Sequence, residues 1–284
     1  MPRIAILTDS SANLPPDMVE RHNLTVMPFK IQWGEESFRD GIDLTPAEFY
    51  RHLAAHSDLP TTSQLSTSEF LQAFDALAPR CDGIVVLSIS SGISGTVASA
   101  QAAAAQFSSV PVEVVDTRST TSGLALIVLA AARAVEQGSS LAEVAQVARD
   151  VSQKMRIVFV VDTLKYLQKG GRIGGAARYL GTVLGIKPLL FLNPEGKIDA
   201  LERIRTRRKA IARLVELAEE TAGDQPAYVG IFHANVPEEA AAFQARLAER
   251  LHCKNIYTFE LSPVIGAHVG PGTIGVAVYV LNSP

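Results

Sequence analysis

Three observations place the chain in the α/β class, as two α/β domains. Short apolar, β-branched runs alternate with alanine-rich helical stretches up to about residue 155, the pattern of a mostly parallel sheet flanked by helices. Three of those runs end in hydroxyl-rich loops, around Thr8 to Ser11, Ser88 to Thr96 and Asp116 to Gly123, where open α/β sheets bind ligands. Past residue 155 a hairpin pattern breaks the alternation, so the second sheet is expected to be mixed. The division is therefore 1–155 and 156–284. A chain of 284 residues, 47% hydrophobic and 19% charged, can build two cores.

In order, Arg3 to Leu7 reads as the first strand and Asn13-Leu14-Pro15-Pro16 as a helix start. Thr25 to Trp33 alternates as a second strand, with a turn at Gly34. Thr45-Pro46-Ala47-Glu48 combines an N-cap, a first-turn proline and a glutamate three after the cap, so a helix runs from there to about His56. Pro60 to Gln64 is a further hydroxyl cluster, followed by a helix over Ser66 to Leu77. Gly83 to Leu87 is a buried strand, and the alanine-rich Val97 to Phe107 a helix. Val112 to Asp116 is a strand, with helices over Leu124 to Gln137 and Leu141 to Lys154 and a strand at Ile157 to Val161. Leu164 to Gln168 is helical, glycines break the chain at Lys169 to Gly175, and a helix resumes over Ala176 to Leu184. Leu189 to Asn193 and Ile198 to Ile204 form a hairpin around Pro194-Glu195-Gly196-Lys197. Thr206 caps a basic helix, Arg207 to Thr221. Tyr228 to Phe232, Ile256 to Leu261 and Val276 to Leu281 are strands, and Pro237 to Leu251 is a helix.

Composition removes several functions. A formal net charge of −3 gives no general attraction to nucleic acid, and no helix-turn-helix pattern is present. Cys81 and Cys253 stand far apart and in no metal-ligand spacing, which favours a reduced, cytoplasmic setting without zinc or disulfides. No apolar run is long enough for an integral membrane span.

The loop Ser88-Ile89-Ser90-Ser91-Gly92-Ile93-Ser94-Gly95-Thr96 joins a strand to a helix N-terminus, where unpaired amides and the helix dipole favour an anion. Its blander reading is an N-cap turn using Ser94 or Thr96. Gly270-Pro271-Gly272-Thr273-Ile274-Gly275 spells G-x-G-x-x-G but precedes a strand and lies too near the C-terminus for a dinucleotide site, so it reads as a tight turn carrying His268 to the domain interface. His268 is either a satisfied loop histidine or a ligand contact. Arg172, in a glycine collar, is either a solvated charge or an anion partner. Gly92-Ile93-Ser94-Gly95 lacks the full G-x-S-x-G spacing, which leaves a hydrolase or phosphotransferase with Ser94 as nucleophile as the alternative function. No phosphate-binding loop for ATP is present. Arg203, Arg205, Arg207, Arg208 and Lys209 are a solvated charge run or a docking patch for an acidic partner.

Taken together, Thr8-Asp9-Ser10-Ser11, Pro60-Thr61-Thr62-Ser63-Gln64, Ser90 to Thr96, Asp116-Thr117, Leu167 to Ile173, Lys187-Pro188 and Gly266 to Gly272 resemble the DegV family, the fatty-acid-binding subunits of bacterial fatty acid kinases. The resemblance runs over nearly the whole chain. It implies a bacterial, non-enzymatic lipid-binding carrier of two α/β domains with a long-chain fatty acid such as palmitate tunnelled between them. It further implies that Thr61, Thr62, Ser94 and Gly95 hold the carboxylate, with Arg172 and His268 nearby, and that no cofactor or metal is required. The expected partners are a separate kinase subunit, docked at Arg203 and Arg205, which forms the acyl phosphate, and an acyltransferase. Leu65, Val97 and Thr273 depart from residues frequent in the family; of these, Val97 bears on the pocket wall.

Overall fold

The computed structural model describes residues 2–56, 58–181 and 185–281. The chain opens with β1 (Ile4–Asp9), α1 (Pro16–Arg21) and β2 (Leu24–Met27), and then turns aside into a hairpin of β3 (Lys30–Trp33) and β4 (Glu36–Arg39). The helix α2 (Pro46–Ala55) follows, with the capping box read from Thr45 and Glu48. Next come β5 (Thr61–Ser63), α3 (Thr67–Leu77), β6 (Gly83–Ser88), α4 (Thr96–Ala104), β7 (Val112–Asp116), α5 (Thr121–Glu136) and α6 (Leu141–Lys154). The remainder is β8 (Arg156–Val160), α7 (Lys165–Lys169), β9 (Lys187–Leu192), β10 (Ile198–Ile204), α8 (Arg207–Ala222), β11 (Ala227–His233), α9 (Pro237–Arg250), β12 (Cys253–Glu260), α10 (Pro263–Val269) and β13 (Ile274–Val280).

Three sheets result among the described residues. A parallel sheet runs β2-β1-β6-β7, a mixed sheet runs β10-β9-β8-β13-β11-β12, and β3 lies between β4 and β5 in a small antiparallel sheet. The α/β class and the mixed character of the second sheet are as expected. The expected strand Thr25 to Trp33 is instead two strands in two sheets, because Phe29 turns inward to the core and its amide donates to Ser10 Oγ. The expected helix from Ala176 is a 3₁₀ segment, Gly174–Tyr179, and residues 182–184 of that expectation lie outside the described residues. Residues 263–269, to which the sequence analysis assigns no element, form α10, whose Ser262 and Val264 amides donate to Asn13 and Asp40 from the start of the chain.

Among the described residues, two buried clusters stabilise the molecule. One surrounds α8 and α9 on the outer face of the mixed sheet. The larger one is continuous from the parallel sheet through α5 to the mixed sheet's inner face. α5 is apolar almost all round and is buried on nearly every side, as expected of a helix sandwiched between layers. Its first turn lies directly on β11. Ser122 Oγ donates to the Gly230 carbonyl at 2.8 Å, and a Cβ on Gly230 would come 2.7 Å from that of Ser122. The free thiols Cys81 and Cys253 form no bridge.

Candidate functional site

The ends of the parallel strands are held by one carboxylate. Asp9, fully enclosed, accepts from Ser11 Oγ at 2.5 Å, Ser88 Oγ at 2.6 Å and the Ile89 amide at 2.8 Å. Burial raises its pKa despite these donors. This fixes where the β6–α4 loop leaves the sheet.

That loop then meets the β9–β10 turn of the mixed sheet. Ser90 Oγ donates to the Gly196 carbonyl at 2.8 Å, and Arg118 Nη1 donates to the Pro194 carbonyl at 3.2 Å. Gly92 allows the approach, since a Cβ there would stand 2.6 Å from the Glu195 carbonyl oxygen. A junction between the sheets is closed on one side by this contact and on the other by α10.

Between them lies a narrow apolar cavity. Phe159 and Phe232 flank Gly275 on neighbouring strands, with ring centroids 6.2 Å apart, and form part of its floor. Ile157, Leu192 and Ile198 continue that floor, while Ile89 and Ile93 from the β6–α4 loop and Val264, Ile265 and Val269 from α10 close it over. Its volume is about 80 Å³, so it is a slot and not a chamber.

One region of the slot is polar. Thr62 Oγ1 lies 2.8 Å from His268 Nε2, joining β5 to α10 across the junction. His268 Nδ1 rests against Gly170, where a Cβ would come within 2.3 Å of it, and has no hydrogen-bond partner among the described residues. Burial, with Arg172 adding to it, lowers the His268 pKa to about 4, so the ring is neutral at pH 7. Arg172 is anchored through Nη1 to the Gly170 carbonyl at 2.8 Å and through Nε to the Ile93 carbonyl at 3.2 Å, and it lines the same cavity. Ser94 lines it too, with Oγ 2.8 Å from Thr96 Oγ1 and accepting from the Thr96 amide at 3.3 Å.

Thr62, Ser94, Arg172 and His268 are thus brought to one cavity. Gly95 is the N-cap residue of α4 and abuts Gln64, whose side-chain oxygen would be 2.2 Å from a Cβ. Thr61 is exposed and is not among the cavity residues, whereas Thr62, Ser63 and Gln64 are. Arg203 and Arg205 are exposed at the end of β10, away from the cavity, with the Arg203 guanidinium 5.4 Å above the Tyr179 ring. Gln64, Thr120 and Thr121 also line the slot; they lie in the hydroxyl-rich stretches noted in the sequence but were not named there as ligand contacts. The partners of Ser94 Oγ are those of a capping hydroxyl, and its hydrogen bonds include no histidine, lysine or carboxylate among the described residues. No cluster of metal-ligating side chains is found among the described residues, and no helix there is long and apolar enough to cross a membrane.

This architecture recurs in known proteins. A DegV domain-containing protein of Streptomyces coelicolor is 38% identical over 277 residues, covering 97% of this chain and 98% of that one. The solved structure of a DegV family protein from Thermus thermophilus, described as binding fatty acid, superposes with a TM-score of 0.93 at 34% identity, over 98% of this chain and all of that one. DegV of Bacillus subtilis, described as a fatty acid binding protein, gives a TM-score of 0.91 at 34% identity, over 99% of this chain and 100% of that one. The model of the family described as "uncharacterised protein, DegV family" matches residues 3–281, so the chain belongs to the DegV family.

Proposed function

We propose that the protein binds a long-chain fatty acid with its tail in the slot and its carboxylate at the Thr62–His268–Ser94–Arg172 end. The observation that carries this reading is an apolar slot with one neutral histidine, one arginine and two hydroxyls at one region. Each buried methylene contributes about 0.8 kcal/mol, so a sixteen-carbon tail offers on the order of 10 kcal/mol before association costs and the cost of widening the slot of about 80 Å³ around it. The tail supplies affinity, and the polar residues orient the head.

Neutral His268 suits this role. If its Nε2–H donates to Thr62 Oγ1, the threonine proton is left to donate to a carboxylate oxygen. Arg172, already held by two carbonyls, adds charge without having to be ordered on binding. These groups bind and orient but supply no nucleophile–base pair, and so we read the protein as a carrier. It presents the carboxyl to a separate kinase for acyl-phosphate formation, and the acyl group passes from there to an acyltransferase. Arg203 and Arg205 form the docking surface for the kinase, with residues 1–155 and 156–284 as the two domains around the lipid.

The test is lipid extraction and mass spectrometry of the protein from its expression host, with palmitate and oleate titrations of wild type, Ser94→Ala and Thr62→Val. Co-purified fatty acid is expected, with affinity roughly tenfold to a hundredfold weaker in each variant, the loss of one charge-assisted hydrogen bond. Protein that carries no lipid and binds neither acid overturns the reading. Unchanged affinity in both variants overturns the placement of the head group.

A further inference from the structure

We propose that the slot holds a second polar contact point, made by Thr120 and Thr121, that recognises a hydroxyl on the hydrocarbon chain of an oxygenated fatty acid. This inference rests on the fatty-acid reading and narrows the ligand class for the same cavity.

Both threonines line the slot, and neither Oγ1 has a hydrogen-bond partner among the described residues. Thr121 is only 3% exposed, so solvent does not serve its hydroxyl. A buried hydroxyl left unpaired is costly, and buried polar side chains are as a rule hydrogen-bonded. Thr120 makes the omission conspicuous. It occupies the N-cap position of α5 and yet accepts no bond from its own helix. Thr45, Ser66, Ser140 and Thr206, in the same position on α2, α3, α6 and α8, all accept one. The backbone of Thr121 is unusual as well, at φ 52°, a left-handed conformation that β-branched residues rarely adopt. That conformation sets its side chain in the slot wall at the start of a 16-residue helix.

Against a plain alkyl chain, both hydroxyls would face methylenes with nothing to bond. A hydroxyl on the chain can donate to one threonine and accept from the other, satisfying three groups together. The arginine that lines the slot, Arg172, sits with the head-group residues and is tied to the Gly170 and Ile93 carbonyls. The threonine pair is therefore suited to a neutral oxygen and not to a second carboxylate.

The experiment is a titration of wild type, Thr120→Val and Thr121→Val with palmitate and with saturated fatty acids of the same length bearing one hydroxyl at successive chain positions. Circular dichroism confirms folding, and Thr120→Val carries the test if Thr121→Val does not fold. At one or a few positions the hydroxylated acid is expected to bind wild type about fivefold to tenfold more tightly than palmitate, the value of a neutral hydrogen bond. Either valine variant should abolish that preference, so that it binds the hydroxylated acid and palmitate equally well. Hydroxylated acids that bind wild type no better than palmitate at any position overturn the inference and leave the fatty-acid reading standing. Valine variants that lose palmitate and hydroxylated acids alike overturn it too, because the carboxylate then sits at the threonines. Failure of wild type to bind palmitate or any other acid overturns the fatty-acid reading itself.

Discussion

The β6–α4 and β7–α5 loops look alike in sequence, each a run of serines, threonines and glycine between a parallel strand and a helix. In the folded protein they differ in what their hydroxyls do. In the first, Ser90 bonds the Gly196 carbonyl, Ser91 bonds Asp116, and Ser94 and Thr96 bond each other. In the second, Thr117 bonds the Ser88 carbonyl and Ser122 bonds Gly230, but Ser119, Thr120 and Thr121 have hydroxyls without partners among the described residues. The loop richer in motif signal is thus largely structural, a clamp between the sheets. The plainer one keeps unsatisfied hydroxyls against the slot.

The largest effect follows from the clamp. At Gly92 a Cβ would meet the Glu195 and Gly196 carbonyl oxygens at 2.6 and 2.7 Å, which are backbone atoms that cannot rotate away. Gly92→Ala should therefore destabilise the fold by about 2 to 4 kcal/mol, the range of overpacked or strained buried sites. Ser90→Ala, which leaves the Gly196 carbonyl without its donor, should cost about 1 to 3 kcal/mol. Urea denaturation measures both. If Gly92→Ala is as stable as wild type, the loop is not a clamp and the contrast between the two loops fails.

A second prediction concerns the other closure of the slot, α10. Asp40 accepts from the Val264 amide at 3.0 Å, while its second oxygen has no partner among the described residues. Burial raises its pKa to about 6. An acid whose folded pKa lies above its unfolded value binds protons more tightly when folded. Its contribution is fully present below about pH 4 and is lost as pH rises to about 6. His268, lowered to about 4, has the opposite sign, its contribution being gained as pH rises from about 4 to the usual imidazole value. Asn keeps the acceptor for Val264 and removes the titration. Relative to wild type, Asp40→Asn should therefore gain about 2 to 3 kcal/mol between pH 4 and pH 6.5. Chemical denaturation at a series of pH values reads this directly. A parallel offset at every pH would mean that Asp40 does not titrate in that window.

These differences mark where sequence stops being informative. The strands β1, β6 and β7 were legible as β-branched apolar runs, and α2 was legible from Thr45 and Glu48, because the signals are local. The split of Thr25 to Trp33 was not, since it depends on Phe29 entering a core built by distant residues. Nor was α10, a seven-residue helix whose first turn is satisfied by Asp40, 224 residues earlier. At the site, Thr62, Ser94, Arg172 and His268 were identified through family resemblance together with their loop positions. Thr61 and Thr62 were indistinguishable in sequence, and only the pairing of Thr62 with Ile31 in β3 fixes which of the two turns inward. Which hydroxyls remain unpaired is a tertiary property, so the sequence marked the loop Asp116 to Gly123 but only the fold distinguishes Thr120 and Thr121 within it.

The smallest effect is expected at the basic run, where the structure divides residues that sequence presents as one patch. Arg207 is held by Glu239 and lies 3.4 Å from Asp162, so it joins α8 to α9 and β8's exit. Arg203 and Arg205 are both exposed, with the Arg203 guanidinium over the Tyr179 ring. Charges of the exposed kind steer encounters and contribute little to stability. On the docking surface proposed above, Arg205→Glu should leave denaturation and palmitate affinity within error of wild type while slowing phosphorylation of bound lipid by the proposed kinase partner, more at low salt than at high salt because the interaction is screened. Arg207→Glu should instead destabilise the fold by breaking a half-buried pair. A kinase-coupled assay run beside direct lipid titration separates the two. Equal loss of lipid binding and phosphorylation in Arg205→Glu would assign that residue to the cavity, against its position at the far end of β10.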